Sequence, residues 1–92
     1  MRWEIKNPGG NVITLLRKVG YFKQQEAFVR PLEKSGYPRF HLYLDQKKEN
    51  LVFDLHLDQK KPSYKGTARH SGEYNSPIVQ EEAQRIKQIL NE

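Results

Sequence analysis

A chain of 92 residues has room for one domain with a modest core, and its 36% hydrophobic and 29% charged residues, set in periodic blocks, suit a globular fold rather than a disordered one. Sixteen Lys and Arg against 11 Asp and Glu give a net charge of +5, which favours polyanionic partners. The lack of cysteine excludes disulfides, thiolate metal sites and cysteine nucleophiles. No apolar run approaches the ~20 residues that span a bilayer, and the N-terminus carries no secretory core, so the expected location is cytoplasmic, with no membrane partner.

Arg2-Trp3-Glu4-Ile5-Lys6 alternates apolar and charged residues and predicts a short strand with Trp3 on the core side, ended by the turn Asn7-Pro8-Gly9-Gly10. Asn11 then stands as an N-cap. Val12, Leu15, Leu16 and Val19 fall on one stripe of a helix, which runs from Val12 to Lys18 and stops at Gly20. Glu26 to Leu32 predicts a strand at a sheet edge or broken at Pro31, because proline cannot donate to a ladder.

Two near-identical segments follow, Phe40-His41-Leu42-Tyr43-Leu44-Asp45 and Phe53-Asp54-Leu55-His56-Leu57-Asp58. Period two puts Phe40, Leu42 and Leu44 on one face and Phe53, Leu55 and Leu57 on the matching face of a partner strand. The short connection through Gln46–Asn50 requires an antiparallel hairpin. Two registers keep the apolar faces together. One sets His41 opposite Asp54 and Arg39 opposite His56; the other sets His41 opposite His56 and Arg39 opposite Asp58.

Beyond Asp58 the chain becomes basic and irregular through Asn75, a long segment for so small a domain and a candidate functional loop. Ser76 and Pro77 then open a helix as N-cap and first residue, with Gln80, Glu81 and Glu82 near its positive end. Val79, Ala83, Ile86 and Leu90 make its buried stripe. The predicted fold is α+β in the order β-α-β-β-β-α, a three-stranded antiparallel meander with both helices on its apolar face and the His/Asp face exposed.

That polar face brings two imidazoles and several carboxylates within reach across the strands in either register. His41 and His56 are the candidate catalytic residues, since an imidazole titrates near neutral pH and a neighbouring aspartate orients it. The same groups, with His70, are of the kinds that ligate a divalent ion; the reading assigns no metal and no cofactor. In the basic segment, Lys60, Lys61, Lys65, Arg69 and His70 are candidate phosphate contacts and Tyr64 a stacking residue, which makes RNA the expected partner. An edge strand used for protein contact is the further alternative, with the chain a monomer or weak homodimer.

The run His56-Leu57-Asp58-Gln59-Lys60-Lys61-Pro62-Ser63-Tyr64-Lys65-Gly66-Thr67, with His70-Ser71-Gly72-Glu73-Tyr74 and the Ser76-Pro77 helix start, resembles a group of small uncharacterised bacterial proteins. The order α-β-β-β-α after the first strand is also similar to that of the double-stranded RNA-binding domain and of the HicA-type toxins. The HicA likeness implies a small ribonuclease with a strand-borne histidine, here His41 or His56. Its Gly-Ser-His signature is matched only by the glycine and histidine of Gly36-Tyr37-Pro38-Arg39-Phe40-His41. The RNA-binding domain has lysines at the start of its last helix, where this chain has Pro77-Ile78-Val79-Gln80-Glu81-Glu82, so duplex binding in that mode is not expected.

Overall fold

The computed structural model describes residues 1–59, 72–73 and 76–90, the pair 72–73 by its backbone alone. In chain order its elements are β1 (Arg2–Lys6), α1 (Val12–Lys18), β2 (Phe22–Gln24), β3 (Ala27–Pro31), β4 (Arg39–Gln46), β5 (Asn50–Asp58), β6 (Gly72–Glu73) and α2 (Pro77–Leu90). The class is α+β. Among the described residues, the expected three-stranded sheet is corrected to six strands, all paired antiparallel in the order β1-β5-β4-β3-β2, with β6 adding to β5. β1 lies along the first half of β5, and β6 along its last two residues.

Two strands are absent from the sequence reading: β6, which falls in the expected loop, and β2. The latter has three residues, all exposed, and it turns into β3 through the two-residue loop Gln25-Glu26. Gln25 adopts φ 56°, a left-handed conformation usually given to Gly or Asn, so the chain carries no ordinary hairpin signal here.

α1 begins as its sequence predicts. The Asn11 side chain accepts from the Ile13 and Thr14 amides at 2.8 and 3.2 Å, and Gly20 follows the last turn at φ 97°. α1 carries the chain from β1 at one edge of the sheet to β2 at the other. At the start of α2, the Ser76 carbonyl accepts the first helical bond, from Gln80 at 3.0 Å, whereas its buried hydroxyl has no partner among the described residues.

The β4–β5 hairpin takes the second of the two registers, with His41 opposite His56, Arg39 opposite Asp58 and Leu42 opposite Leu55. Phe40, Leu42, Leu51, Phe53, Leu55 and Leu57 on the apolar face join Leu16 of α1, Val19 just after it, and Val79, Ala83 and Ile86 of α2 in one buried cluster. Each Val, Leu, Ile or Phe among them contributes about 1.5–3 kcal/mol on leaving water. Trp3 packs against this cluster, stacked on Phe53 at 5.1 Å between ring centroids, with the Lys87 ammonium 5.4 Å from its ring.

One buried position of α2 is charged. Glu82, 5% exposed, accepts from the Tyr21 hydroxyl at 2.7 Å and from Arg85 through both carboxylate oxygens at 2.8 Å each, and Arg30 approaches it at 3.4 Å. Arg85 also donates to the Val19 carbonyl. The network therefore ties α2 to the end of α1, to Tyr21 and to β3. Glu82, expected only as one of the acidic residues near the helix's positive end, is thus a buried part of the fold.

Candidate functional site

Directly opposed residues of an antiparallel pair share a face. The face away from the buried cluster therefore carries Arg39, His41, Tyr43 and Asp45 from β4 beside Val52, Asp54, His56 and Asp58 from β5, with Arg2 of β1 opposite Asp54. It is not the open polar platform that the alternation predicts. Val29, opposite His41, and Val52 are buried, and the side chains of His41, His56 and Asp58 keep only 18%, 12% and 19% exposure.

Within this face, two imidazoles converge on one carboxylate. His41 Nδ1 lies 3.0 Å from Asp58 Oδ2, and His56 Nε2 lies 3.4 Å from Asp58 Oδ1. The two rings stand 4.8 Å apart at 44°. Strand geometry produces this meeting: His41 and His56 are cross-strand partners, and Asp58 sits two residues beyond His56 on the same face.

Arg39 completes the polar end of the cluster. Its Nε approaches Asp58 Oδ2 at 3.5 Å, while Nη1 donates to Gln24 Oε1 at 3.0 Å and the guanidinium lies over the Tyr37 ring at 4.7 Å. At the other end Tyr43, 45% exposed, stacks on His41 with centroids 4.9 Å apart and on His56 at 5.8 Å. The face thus holds a ladder of three π-systems ending in an exposed phenol.

Burial pushes the His56 imidazole below its ordinary pKa, because a cation there would lose hydration; the neighbouring His41 adds to the fall, and Asp58 and Asp54 oppose it. The neutral ring is thereby favoured. A neutral imidazole beside a carboxylate can accept a proton, ligate a metal or stack on a base.

No family model, curated protein or solved structure matches this chain. The site therefore rests on its own geometry.

Of the residues that the sequence singles out, His41 and His56 are brought together. Lys60, Lys61, Tyr64, Lys65, Arg69 and His70 lie outside the described residues, as does most of the expected long loop, of which 72–73 forms β6. Tyr43 was not among the candidate site residues, although its alternation with His41 on β4 is legible in the sequence. Asp58 and Arg39 depended on the hairpin register, which the pattern left open between two choices. Among the described residues no helix is long and apolar enough to cross a membrane.

A concavity of about 390 Å³ opens beside Arg30, Phe40, Ile78 and the Glu82 network. Arg30 and Arg85 there are both committed to Glu82, so its cationic groups serve the fold.

Proposed function

We propose that this protein contacts single-stranded RNA through the sheet face built on β4 and β5, extended by the basic segment that begins two residues after Asp58. The observation that carries the reading is the ladder of Tyr43, His41 and His56, with ring centroids 4.8–5.8 Å apart and the outermost ring exposed. Aromatic groups on a sheet face receive unstacked bases without needing a particular sequence, and cations beside them hold the backbone. Arg2, exposed at the β1 edge of the same face, and Arg39 supply charge among the described residues; Lys60, Lys61, Lys65 and Arg69 supply it in the segment that follows, with Tyr64 and His70. The chain's net charge of +5 acts in the same direction.

Tyr43→Ala tests the stacking role. Loss of one base-stacking side chain costs about 1–3 kcal/mol, a fall in affinity for a fluorescent oligoribonucleotide of roughly five- to a hundredfold. An unchanged affinity removes the ladder from the binding surface.

A second reading is a HicA-like ribonuclease, favoured by the convergence of two imidazoles on Asp58. In it Asp58 orients His41, one imidazole takes the proton of a ribose hydroxyl, and the other protonates the leaving oxygen. Cleavage that persists after both His41→Ala and His56→Ala excludes it. The contribution of both helices to one core cluster, with three consecutive antiparallel strands before α2, supports an arrangement like that of HicA toxins or the double-stranded RNA-binding domain, with β1, β2 and β6 as additions. We place the protein in the cytoplasm on its cysteine-free, basic composition.

A further inference from the structure

We propose that His41, His56 and Asp58 form a binding site for a divalent transition-metal ion, with His41 Nδ1, His56 Nε2 and one Asp58 oxygen as ligands. The three donor atoms all lie within 4.8 Å of one another, the two imidazole nitrogens being 3.0 and 3.4 Å from the carboxylate. Bonds of about 2.0–2.1 Å place neighbouring ligands about 3.4 Å apart around a tetrahedral ion, and about 2.9 Å apart around an octahedral one. Each imidazole nitrogen already has such a separation from one of the two Asp58 oxygens, His41 Nδ1 from Oδ2 and His56 Nε2 from Oδ1. Bringing all three donors, now within 4.8 Å of one another, onto one ion requires turning the carboxylate and the two imidazoles, which enter from directly opposed positions on two hydrogen-bonded strands.

The donor set chooses the class of ion. Two imidazoles and one carboxylate, without sulfur, suit zinc, cobalt, nickel or ferrous iron; calcium and magnesium take oxygen ligands. On binding, any proton on a ring nitrogen facing Asp58 moves to the far nitrogen or leaves to solvent, and the lone pair so exposed makes the metal bond. No redox change is involved. Three protein ligands leave at least one position for water or a substrate oxygen.

Neighbouring groups limit the motion of these donors. Arg39, held by Gln24 and Tyr37, pairs with Asp58 Oδ2 at 3.5 Å without a hydrogen bond from its Nε. Tyr43 stacks on both rings and limits their rotation. The half-buried setting weakens competition from bulk water for the ligands. The site stands independently of RNA contact, because it is measured on the protein alone.

The test is calorimetric titration of the full chain with zinc chloride, paralleled by the visible absorption of added cobalt and by long-range proton–nitrogen NMR of the imidazoles. The expected result is saturable binding of one ion per chain with a micromolar or lower dissociation constant. His41→Ala, His56→Ala and Asp58→Asn should each weaken it at least about tenfold. Amide spectra of the metal-free variants identify any that do not fold. The NMR arm then decides on the native chain, where zinc should move the His41 Nδ1 and His56 Nε2 resonances. Binding weaker than millimolar, binding unaltered in folded variants, or unmoved His41 and His56 nitrogens at saturating zinc would each overturn the proposal.

Discussion

Replacing Glu82 by glutamine keeps the shape of the side chain and removes the charge around which Tyr21, Arg30 and Arg85 are arranged. Removing one partner of a buried ion pair costs about 3–5 kcal/mol when the survivor is stranded in the interior. Arg30 and Arg85 keep 32% and 34% side-chain exposure, so water recovers part of their solvation, and about 2–3 kcal/mol is expected here. A domain of this length has about 5–14 kcal/mol in total, so the variant should fold but with a much reduced margin. Urea unfolding followed by Trp3 fluorescence and far-ultraviolet circular dichroism should show a midpoint lower by about 2–3 M, for a slope near 1 kcal/mol per M. Tyr21→Phe, which removes the hydroxyl that donates to the same carboxylate, should be non-additive with Glu82→Gln by about 1 kcal/mol. A midpoint shift below about 0.5 M, or strict additivity of the two substitutions, would refute the idea that this network locks α2 to α1 and β3.

The Tyr21 phenol gives a pH test of the same network. Burial, with the Glu82 charge adding to it, pushes its pKa up, so folding stabilises the protonated form. That contribution is whole below about pH 10, where an unfolded tyrosine begins to ionise, and declines as the pH rises toward the folded value; Tyr21→Phe should flatten this alkaline loss in urea midpoints measured from pH 8 to 11. Asn11→Ala removes the acceptor for the Ile13 and Thr14 amides and should cost about 1 kcal/mol, a fall of roughly 4–8 °C in Tm by calorimetry. Gln25→Gly relieves a left-handed conformation and should raise stability, by up to about 1 kcal/mol in urea unfolding; a loss would show that the Gln25 side chain stabilises the β2–β3 turn by more than its backbone strain.

The strands that form the site were legible because β4 and β5 repeat an alternating pattern in which a one-residue slip would bury His41 and expose Leu42. α1 was legible for a different reason, Asn11 and Gly20 marking its ends. β2 escaped because three exposed residues have no inward face to alternate, and because its turn rests on a glutamine. The burial of Glu82 escaped because two of its partners, Tyr21 and Arg30, stand 61 and 52 residues away in the chain, and no local pattern reports them. The half-burial of His41 and His56 was likewise hidden, since a strand of alternating residues reads the same whether its polar face is bare or covered. Pairing of β1 with β5 joins strands some 50 residues apart and followed from neither pattern.

The most direct measurement of the central claim is a backbone-amide NMR titration of the protein with short single-stranded and structured RNAs, at low and near-physiological salt. RNA contact through the sheet face requires shifts at His41, Tyr43 and Asp54 to Asp58, together with the basic segment Lys60 to His70, all weakening as salt rises. No shift at low salt, or shifts confined to residues of α2 around Ile78, would contradict it.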